Sequence, residues 1–549
     1  MQRFNLLKYK WVMNIILTLT FIFTSALLHT TYAAVFYSDP VDGSMQNSGG
    51  VNDPFGSLQE IIESDFFNSQ AYAPLPYDSS ISQLNNRNPQ AIIQPGDTLM
   101  LMNGLHGEAV WRNFINDKPI TIMAYDDHTP IIEWIGLYAC RNWNFENIEI
   151  SSEPYGNYEN RYLVHVESNG FFGPSALVTF KNCTIYSSAE PWMTPEGWIE
   201  NASEGMFLRA DSLSAVGNTI VNTSFGLTAM GNHILADNNE IINFSADGMR
   251  IVGSHITFSN NLIKNCYDVD ENHDDGIQSW AEINGVVSDH NTVIGNTIIN
   301  SDDYTRPLNG PLQGIGCFDG MYNDWLVANN VISVNHWHGI TFLGARRCTI
   351  IHNTVLDPTP LTTPGASWIR IADHKDGRQS SDCLVANNVT NDIVVDGTLS
   401  QNVILNNTED YNTEFVDYAN NNFQLSQDSK LIDAADTDYS IEYDILGYDR
   451  FIDNKPDVGA FEFQKEITST QDIIQSRLIL YPNPFTNQVM IDSEVDVISI
   501  EINDINGILI ANGKPSQILK NIDRLPHGLY VFNLYDSKGT SYHHKMVKL

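Results

Sequence analysis

The 549-residue chain is too long for one ordinary core and implies several domains or one long solenoid. Its 66 acidic residues against 29 basic ones give a formal net charge of -37. That excludes a nucleic-acid partner, because phosphate binding needs clustered Lys and Arg, and it repels any polyanion that lacks a local basic cleft.

The N-terminus reads as an export signal, residues 1–33. Arg3, Lys8 and Lys10 supply positive charge, an apolar run follows to about Leu28, and Thr31-Tyr32-Ala33 offers a small-residue cleavage site before Ala34. No other apolar stretch is long enough to span a bilayer, so no membrane span is expected in the mature form. The six cysteines show no CxxC pair and read as buried thiols rather than a disulfide framework. Next, Ser57 is placed to cap a short helix from Leu58 to Glu63, which would cover the first turn of a solenoid. Pro95-Gly96-Asp97 then turns the chain into its first strands.

The middle of the chain carries a repeat: Asn followed by apolar, often β-branched residues. It recurs at Asn147, Asn182, Asn218, Asn239, Asn261, Asn296, Asn330, Asn353 and Asn388, in steps of about 21–23 or 34–36 residues. Short alternating strands with a recurrent Asn at one turn predict a parallel β-helix over 34–465, its Asn side chains stacked. The expected class is all-β: a right-handed parallel β-helix, then a small C-terminal β-sandwich.

The strands before each Asn align as Phe225-Gly-Leu-Thr228, Asp247-Gly-Met-Arg250, Asp275-Gly-Ile-Gln278, Gln313-Gly-Ile-Gly316, His338-Gly-Ile-Thr341 and Ser367-Trp-Ile-Arg370. The column after Gly is always apolar and should fill the bore, which leaves the flanking columns to face outward. They carry Asp247, Asp275, Gln313 and His338 on one side, and Arg250, Gln278 and Arg370 on the other. Trp280, Phe318 and Asp319 lie further along the same strands, and Trp337 beside His338. Carboxylates suit acid–base work on a glycosidic bond and aromatics stack on sugar rings, so this face is expected to meet a polysaccharide. A solvated polar face is the bland alternative.

Residues 336–378 are locally basic, with Arg346, Arg347, Arg370, Lys375, Arg378, His336, His338, His352 and His374. A uronate polymer would need such a cleft, with a cation to neutralise its carboxylate and a base to take the C5 proton. Asp270, Glu271 and Asp274 are candidate ligands if calcium does the neutralising.

The segment from Asn402 to Phe463 reads as the end of the coil. Its Asp457-Val-Gly-Ala-Phe-Glu462 resembles the closing stretch of bacterial right-handed β-helix proteins. A linker over 466–477 follows. From 478 to 549 the pattern turns to short antiparallel strands, with Tyr481-Pro-Asn-Pro-Phe485, a hairpin-type Asn506-Gly507, Leu525-Pro-His-Gly-Leu-Tyr-Val531 and a closing Lys545-Met-Val-Lys-Leu549. These blocks resemble the type A C-terminal sorting domain of type IX secretion in Bacteroidetes. The resemblance implies the type IX machinery as a partner and a secreted or outer-membrane-surface location.

Two resemblances bear on chemistry. Pro95-Gly96-Asp97-Thr-Leu with Pro119-Ile-Thr-Ile-Met-Ala124 resembles the start of the alginate lyase and chondroitinase B family, which implies calcium, a Lys base (Lys375) and an Arg (Arg370). The order Asp247-Gly, Asp274-Asp275-Gly, Trp337-His338-Gly, Arg370-Ile resembles the polygalacturonase-type glycoside hydrolases, with Asp247, Asp274 and Asp275 as acid and base. The first resemblance and the basic rungs favour an extracellular lyase on a uronic-acid polymer, acting as a monomer. Hydrolysis and a non-enzymatic glycan-binding or adhesive coil are the alternatives. In that expectation Lys375, His338, Arg370, Asp275, Asp274 and Asp247 are catalytic, while Arg250, Gln278, Trp280, Gln313, Phe318, Asp319, Trp337 and His374 bind substrate.

Overall fold

The computed structural model describes residues 33–548 apart from 157, 281–286, 360–363, 396, 452–454, 465–477, 482–487, 494–496, 505–508, 526–527 and 537–540. The export signal expected at 1–33 therefore lies almost wholly outside the described residues, as does the linker expected at 466–477. The chain divides into two compact units, Met1–Phe463 and Gln464–Leu549.

The first unit is a right-handed parallel β-helix, the hand that parallel crossovers take. One of its sheets holds twelve parallel strands, from Gly104–Leu105 to Val403–Ile404. Its bore is filled by in-register stacks of one residue type, such as Ile185, Ile220, Ile241, Ile263, Ile298 and Ile332. All six are buried, and alternation along each strand puts β-branched side chains into this column at every turn. At the N-terminal mouth the helix Leu58–Glu63 (α1) turns Leu58 and Ile61 inward. Ser57 caps it, with Glu60 completing a capping box, which satisfies orphan amides at its first turn.

The Asn repeat forms a ladder, although its first two members stand aside. From Asn218 through Asn239, Asn261, Asn296, Asn330, Asn353 and Asn388 to Asn402, each Nδ2 donates to the next Oδ1 at 2.8–3.0 Å. Each Oδ1 from Asn239 onward also accepts the backbone N–H of the Asn before it, so buried amides at the corner stay paired. Asn147 and Asn182 sit one residue earlier, in the left-handed conformation that opens the corner. Cys183 holds the ladder position in its turn, and its N–H donates to Asn218 Oδ1 at 2.9 Å.

After Val403–Ile404 the chain leaves the coil. Leu405, Tyr411, Phe415, Phe423, Leu431 and Val458 pack over Ile299, Val331, Leu356 and Val389 on the outside of the twelve-stranded sheet. Buried Arg450 locks this flap, donating to Asn329 Oδ1 at 2.8 Å and to Gly459 O at 2.9 Å. The stretch expected to finish the coil instead covers an apolar outer face that would otherwise meet water. All six cysteines are buried free thiols. No helix among the described residues is long and apolar enough to cross a membrane.

The second unit is antiparallel. Leu509–Gly513, Val497–Asp504, Gly528–Asp536 and Ser541–Lys548 form a four-stranded sheet, and Leu478–Tyr481 pairs with Met490–Ser493. Ile500, Ile502, Phe532, Leu534 and Met546 form its core.

Candidate active site

Eight strands follow one another along one face of the coil: Tyr162–Glu167 (β1), Glu204–Arg209 (β2), Leu227–Asn232 (β3), Met249–Ser254 (β4), Asp274–Trp280 (β5), Leu312–Asp319 (β6), His338–Leu343 (β7) and Trp368–Ala372 (β8). Leu227, Met249, Ile277, Ile315, Ile340 and Ile369 pair in register and are buried in the bore. The next column, Thr228, Arg250, Gln278, Gly316, Thr341 and Arg370, is also in register.

A stack of glycines makes the corner before these strands. A Cβ on Gly226 would lie 2.2 Å from Gly248 O, and one on Gly276 would lie 2.5 Å from Ile298 Cγ2. The chain can therefore present two successive residues to the bore only if the first lacks a side chain. Asp247 and Asp275 immediately precede two of these glycines, so the corner brings their carboxyl groups side by side. Both are buried, at 3% and 0% exposure, where a solvent-facing column was expected.

Asp247 Oδ2 accepts from Arg250 Nε at 2.6 Å, and its Oδ1 accepts the Asp275 N–H at 3.1 Å. The Arg250 guanidinium lies 3.4 Å from the Phe225 ring centroid and 5.6 Å from that of Trp280. Asp275 Oδ2 meets His273 Nδ1 at 3.0 Å and accepts from Gln278 Nε2 at 3.2 Å. Its Oδ1 is buried with no hydrogen-bond partner in the protein. That oxygen sits over Gly316, where a Cβ would approach it to 2.3 Å and would meet the Phe318 ring at 2.5 Å. Phe318 in turn spans from His273, at 6.2 Å between centroids, to His338, at 5.0 Å.

Burial is the main force on these acids. It pushes Asp275 up to about 6, with the Asp247 charge adding to the push and His273 opposing it. Burial also raises Asp247, against which the Arg250 guanidinium favours the carboxylate. Asp274 points elsewhere: its Oδ2 takes the Cys266 thiol at 3.2 Å, and burial with Asp247, Asp268 and Asp270 nearby pushes it up to about 8.

Toward the C-terminus, Trp368 Nε1 donates to Thr341 Oγ1 at 3.0 Å and to His338 Nδ1 at 3.3 Å. His338 Nδ1 also meets Thr341 Oγ1 at 2.9 Å, so the His338 ring is held by both partners. Burial, His336 and Arg370 push its pKa down to about 3. Trp337, half-exposed, leans against Trp368 at 6.2 Å. Gln313 Oε1 and Arg370 Nε are buried without partners. Lys375 is exposed and ion-paired with Asp319. Asp319 aligns with Trp280 and lies three residues along β6 from Gly316, over which Asp275 Oδ1 sits, or roughly 10 Å. His374 bonds Asp376 at 2.8 Å in the loop beyond. The expected catalytic residues thus fall into an acid centre at the glycine corner and a separate Lys375–Asp319 pair at the far end of the face.

The expected calcium ligands do not converge. Asp270 accepts from its neighbour Asn272 at 2.7 Å, and Asp274 is held beside a thiol in a site that favours its neutral form, a poor donor for a hard cation. Among the described residues, one group brings three ligand atoms within 4.8 Å of one another: Asp289, His290 and Asp324. It stands apart from the acid centre, Asp289 pairs with His290, and Asp324 pairs with Arg347 at 2.5 Å. Sequence reasoning missed Gly316 and Thr341 as parts of the site. The one signal for Gly316 was a glycine where its column otherwise carries side chains.

No curated relative matches the chain. Among solved structures it is similar to pectate lyase Pel9A, at 15% identity and TM-score 0.41, covering 78% of this chain and 96% of that one. It is also similar to a GH136 lacto-N-biosidase from Eubacterium ramulus, at 13% identity and TM-score 0.41, covering 68% of each chain. A rhamnogalacturonan lyase gives 13% identity and TM-score 0.31, covering 70% of this chain and 91% of that one. The parallel coil is defined by its own ladder registers, independently of these likenesses. Residues 479–548 match the secretion system C-terminal sorting domain family. The chain is thus a parallel β-helix carrying a C-terminal type IX sorting domain, which addresses it to the cell exterior or the outer-membrane surface.

Proposed function

We propose that the coil is an extracellular glycoside hydrolase that cuts a polysaccharide laid along the face from β3 to β8. The observation that carries this reading is Asp275 Oδ1, a buried carboxyl oxygen with no protein partner, set over the Gly316 notch. A carboxyl pushed up to about 6 holds enough proton near neutrality to protonate a glycosidic oxygen. Asp247, whose carboxylate form Arg250 favours and which stands beside Asp275, is the second carboxyl that glycoside hydrolysis requires, as base or nucleophile. His273 and Gln278 orient Asp275, while Phe318, Trp280 and Trp337 offer faces for sugar rings. His338, held in place by Thr341 and Trp368, is a polar contact for a substrate hydroxyl. Arg370, with its buried Nε unmatched, is a donor for a carboxylate or hydroxyl two rungs beyond Gly316.

β-Elimination is the competing reaction, and Arg370 is the feature that favours it, as a cation for a uronate carboxylate. The base it needs would be neutral His338, held at Nδ1 by Thr341 and Trp368, since Lys375 is tied to Asp319. The deciding experiment incubates the mature chain with neutral and uronic polysaccharides and follows new reducing ends together with ultraviolet absorbance of unsaturated uronates. Reducing ends without absorbance, lost in Asp275→Asn, support hydrolysis. Absorbance that survives Asp275→Asn overturns it in favour of a lyase. Neither signal leaves a glycan-binding coil.

A further inference from the structure

The outward column that contains Arg250 and Gln278 continues toward the N-terminus through Thr228, Phe207 and His165, each in register with the next. His165 stands four ladder steps from Gln278, roughly 19 Å. A ladder step is close to the length of one sugar residue, so a polymer crossing the acid centre would reach this region after several units.

There the surface forms a hollow of about 340 Å³, at the lower end of the ~300–1,000 Å³ range of small-ligand sites. Tyr162 stacks on Phe207 at 4.5 Å and 21°, and Tyr138 lies 5.1 Å from His165. Arg161 lies over the Trp134 ring at 5.0 Å. Trp134 Nε1 and Arg161 Nε are buried without hydrogen-bond partners, so two donors wait beside aromatic faces. The acidic groups outnumber the cation: Arg161 is already paired with Glu159 and, at 3.7 Å, with Glu108, while Glu204 also lines the hollow. Burial raises the pKa of Glu204, and a second anion brought beside it would raise it further.

We propose that this hollow is a distal glycan subsite that takes an uncharged pyranose unit and rejects a uronate. It rests on the reading of the Asp247–Asp275 centre as a polysaccharide site and assigns the chemistry of the sugar several units away. Trp134 and Tyr162 supply faces for the ring, the two unmatched N–H groups meet hydroxyl oxygens, and Glu159 and Glu204 accept from hydroxyl hydrogens. A uronate carboxylate would instead meet Glu159 and Glu204 on the lining, beside an Arg161 guanidinium already shared by Glu159 and Glu108 and an Arg250 charge already facing Glu204.

The test is affinity electrophoresis of the full mature chain carrying Asp275→Asn, so that nothing is cut. The gels contain a neutral galactan, a neutral xylan, a neutral glucan or polygalacturonate. Retardation is expected in at least one neutral gel, and Trp134→Ala and Tyr162→Ala should each weaken it about tenfold. Two substitutions are used because either could disturb folding, which a melting curve would reveal. The proposal is overturned if no neutral gel retards the protein, if both folded variants bind a neutral polymer as the parent does, or if polygalacturonate retardation falls as much. Binding is read without turnover, so a chain that binds through Trp134 but never cuts would sink the hydrolase reading and leave the subsite. A chain that cuts but is retarded by no neutral polymer would do the reverse.

Discussion

Asp275 Oδ1 lies against Gly316 on the next strand, so close that a Cβ there would approach it to 2.3 Å. The glycine interrupts a column that otherwise carries Gln278 on one side and Thr341 on the other. The absence of a side chain makes the notch into which the carboxyl oxygen projects. Gly316→Ala is therefore expected to displace Asp275 or Phe318 and to lower kcat/KM on polysaccharide about 100-fold, the lower range for losing a positioned acid. A melting temperature near the parent's would separate this from unfolding. Activity within threefold of the parent would mean that the notch has no part in turnover.

The acids also set a pH dependence. A general acid must be protonated, so with Asp275 near 6 kcat/KM is expected to fall about tenfold per unit once pH exceeds about 6. Stability carries a separate signature. Asp274 is pushed up to about 8, above its unfolded value of about 3.9, so the native state holds more protons in that window and stability falls as pH rises through it. His338, lowered to about 3, works oppositely, but only below about 6.5. Between about pH 6.5 and 8, Asp274→Asn is thus expected to flatten part of the decline in melting temperature seen in the parent. Parallel curves for the two proteins would show that Asp274 titrates normally.

The Asn ladder gives a prediction that concerns folding alone. Asn296 Nδ2 donates to Asn330 Oδ1 at 3.0 Å and Phe258 O at 2.9 Å, while its Oδ1 accepts the Asn261 N–H at 3.0 Å. Asn296→Ala strands these buried groups and should cost about 3 kcal/mol. Asn402, half-buried at the end of the ladder, should cost less when replaced. Urea unfolding with an unchanged slope would measure both, and equal losses would contradict the ladder's role.

Particular residues show how far the sequence could be read. The recurrence of Asn before β-branched pairs identified the coil, because only a stacked ladder asks for the same polar residue at every turn. It could not reveal that Asn147 and Asn182 open the corner instead of joining the ladder, since adjacent positions there both tolerate Asn. The Gly-Ile pairs placed Ile277, Ile315 and Ile340 in the bore, because a strand facing an apolar core fixes that column. The burial of Asp247 and Asp275 was hidden, since it goes with partners brought in by the fold, Arg250 on Asp247 and Gly316 with Phe318 against Asp275. Tyr162 and Phe207 were not legible because their strands precede the Gly-Ile repeat that marks the later ones.

The last prediction separates the two halves of the expected site. Lys375 was the base implied by the lyase resemblance, yet it is exposed, paired with the equally exposed Asp319, and aligned with the far end of β6. An exposed ion pair of this kind contributes little, about 0–1 kcal/mol. Lys375→Ala is therefore expected to leave the melting temperature unchanged and to alter kcat/KM less than threefold, whereas Asp275→Asn should cost about 10²–10⁴-fold, the range for a general acid. Proton abstraction by Lys375 would invert that order. Both variants measured on one substrate decide the matter, because the two side chains are fixed by different partners, Lys375 by Asp319 and Asp275 by His273 and Gln278. Loss in Lys375→Ala with retention in Asp275→Asn would move the chemistry to the basic end of the face and leave the glycine corner a structural device.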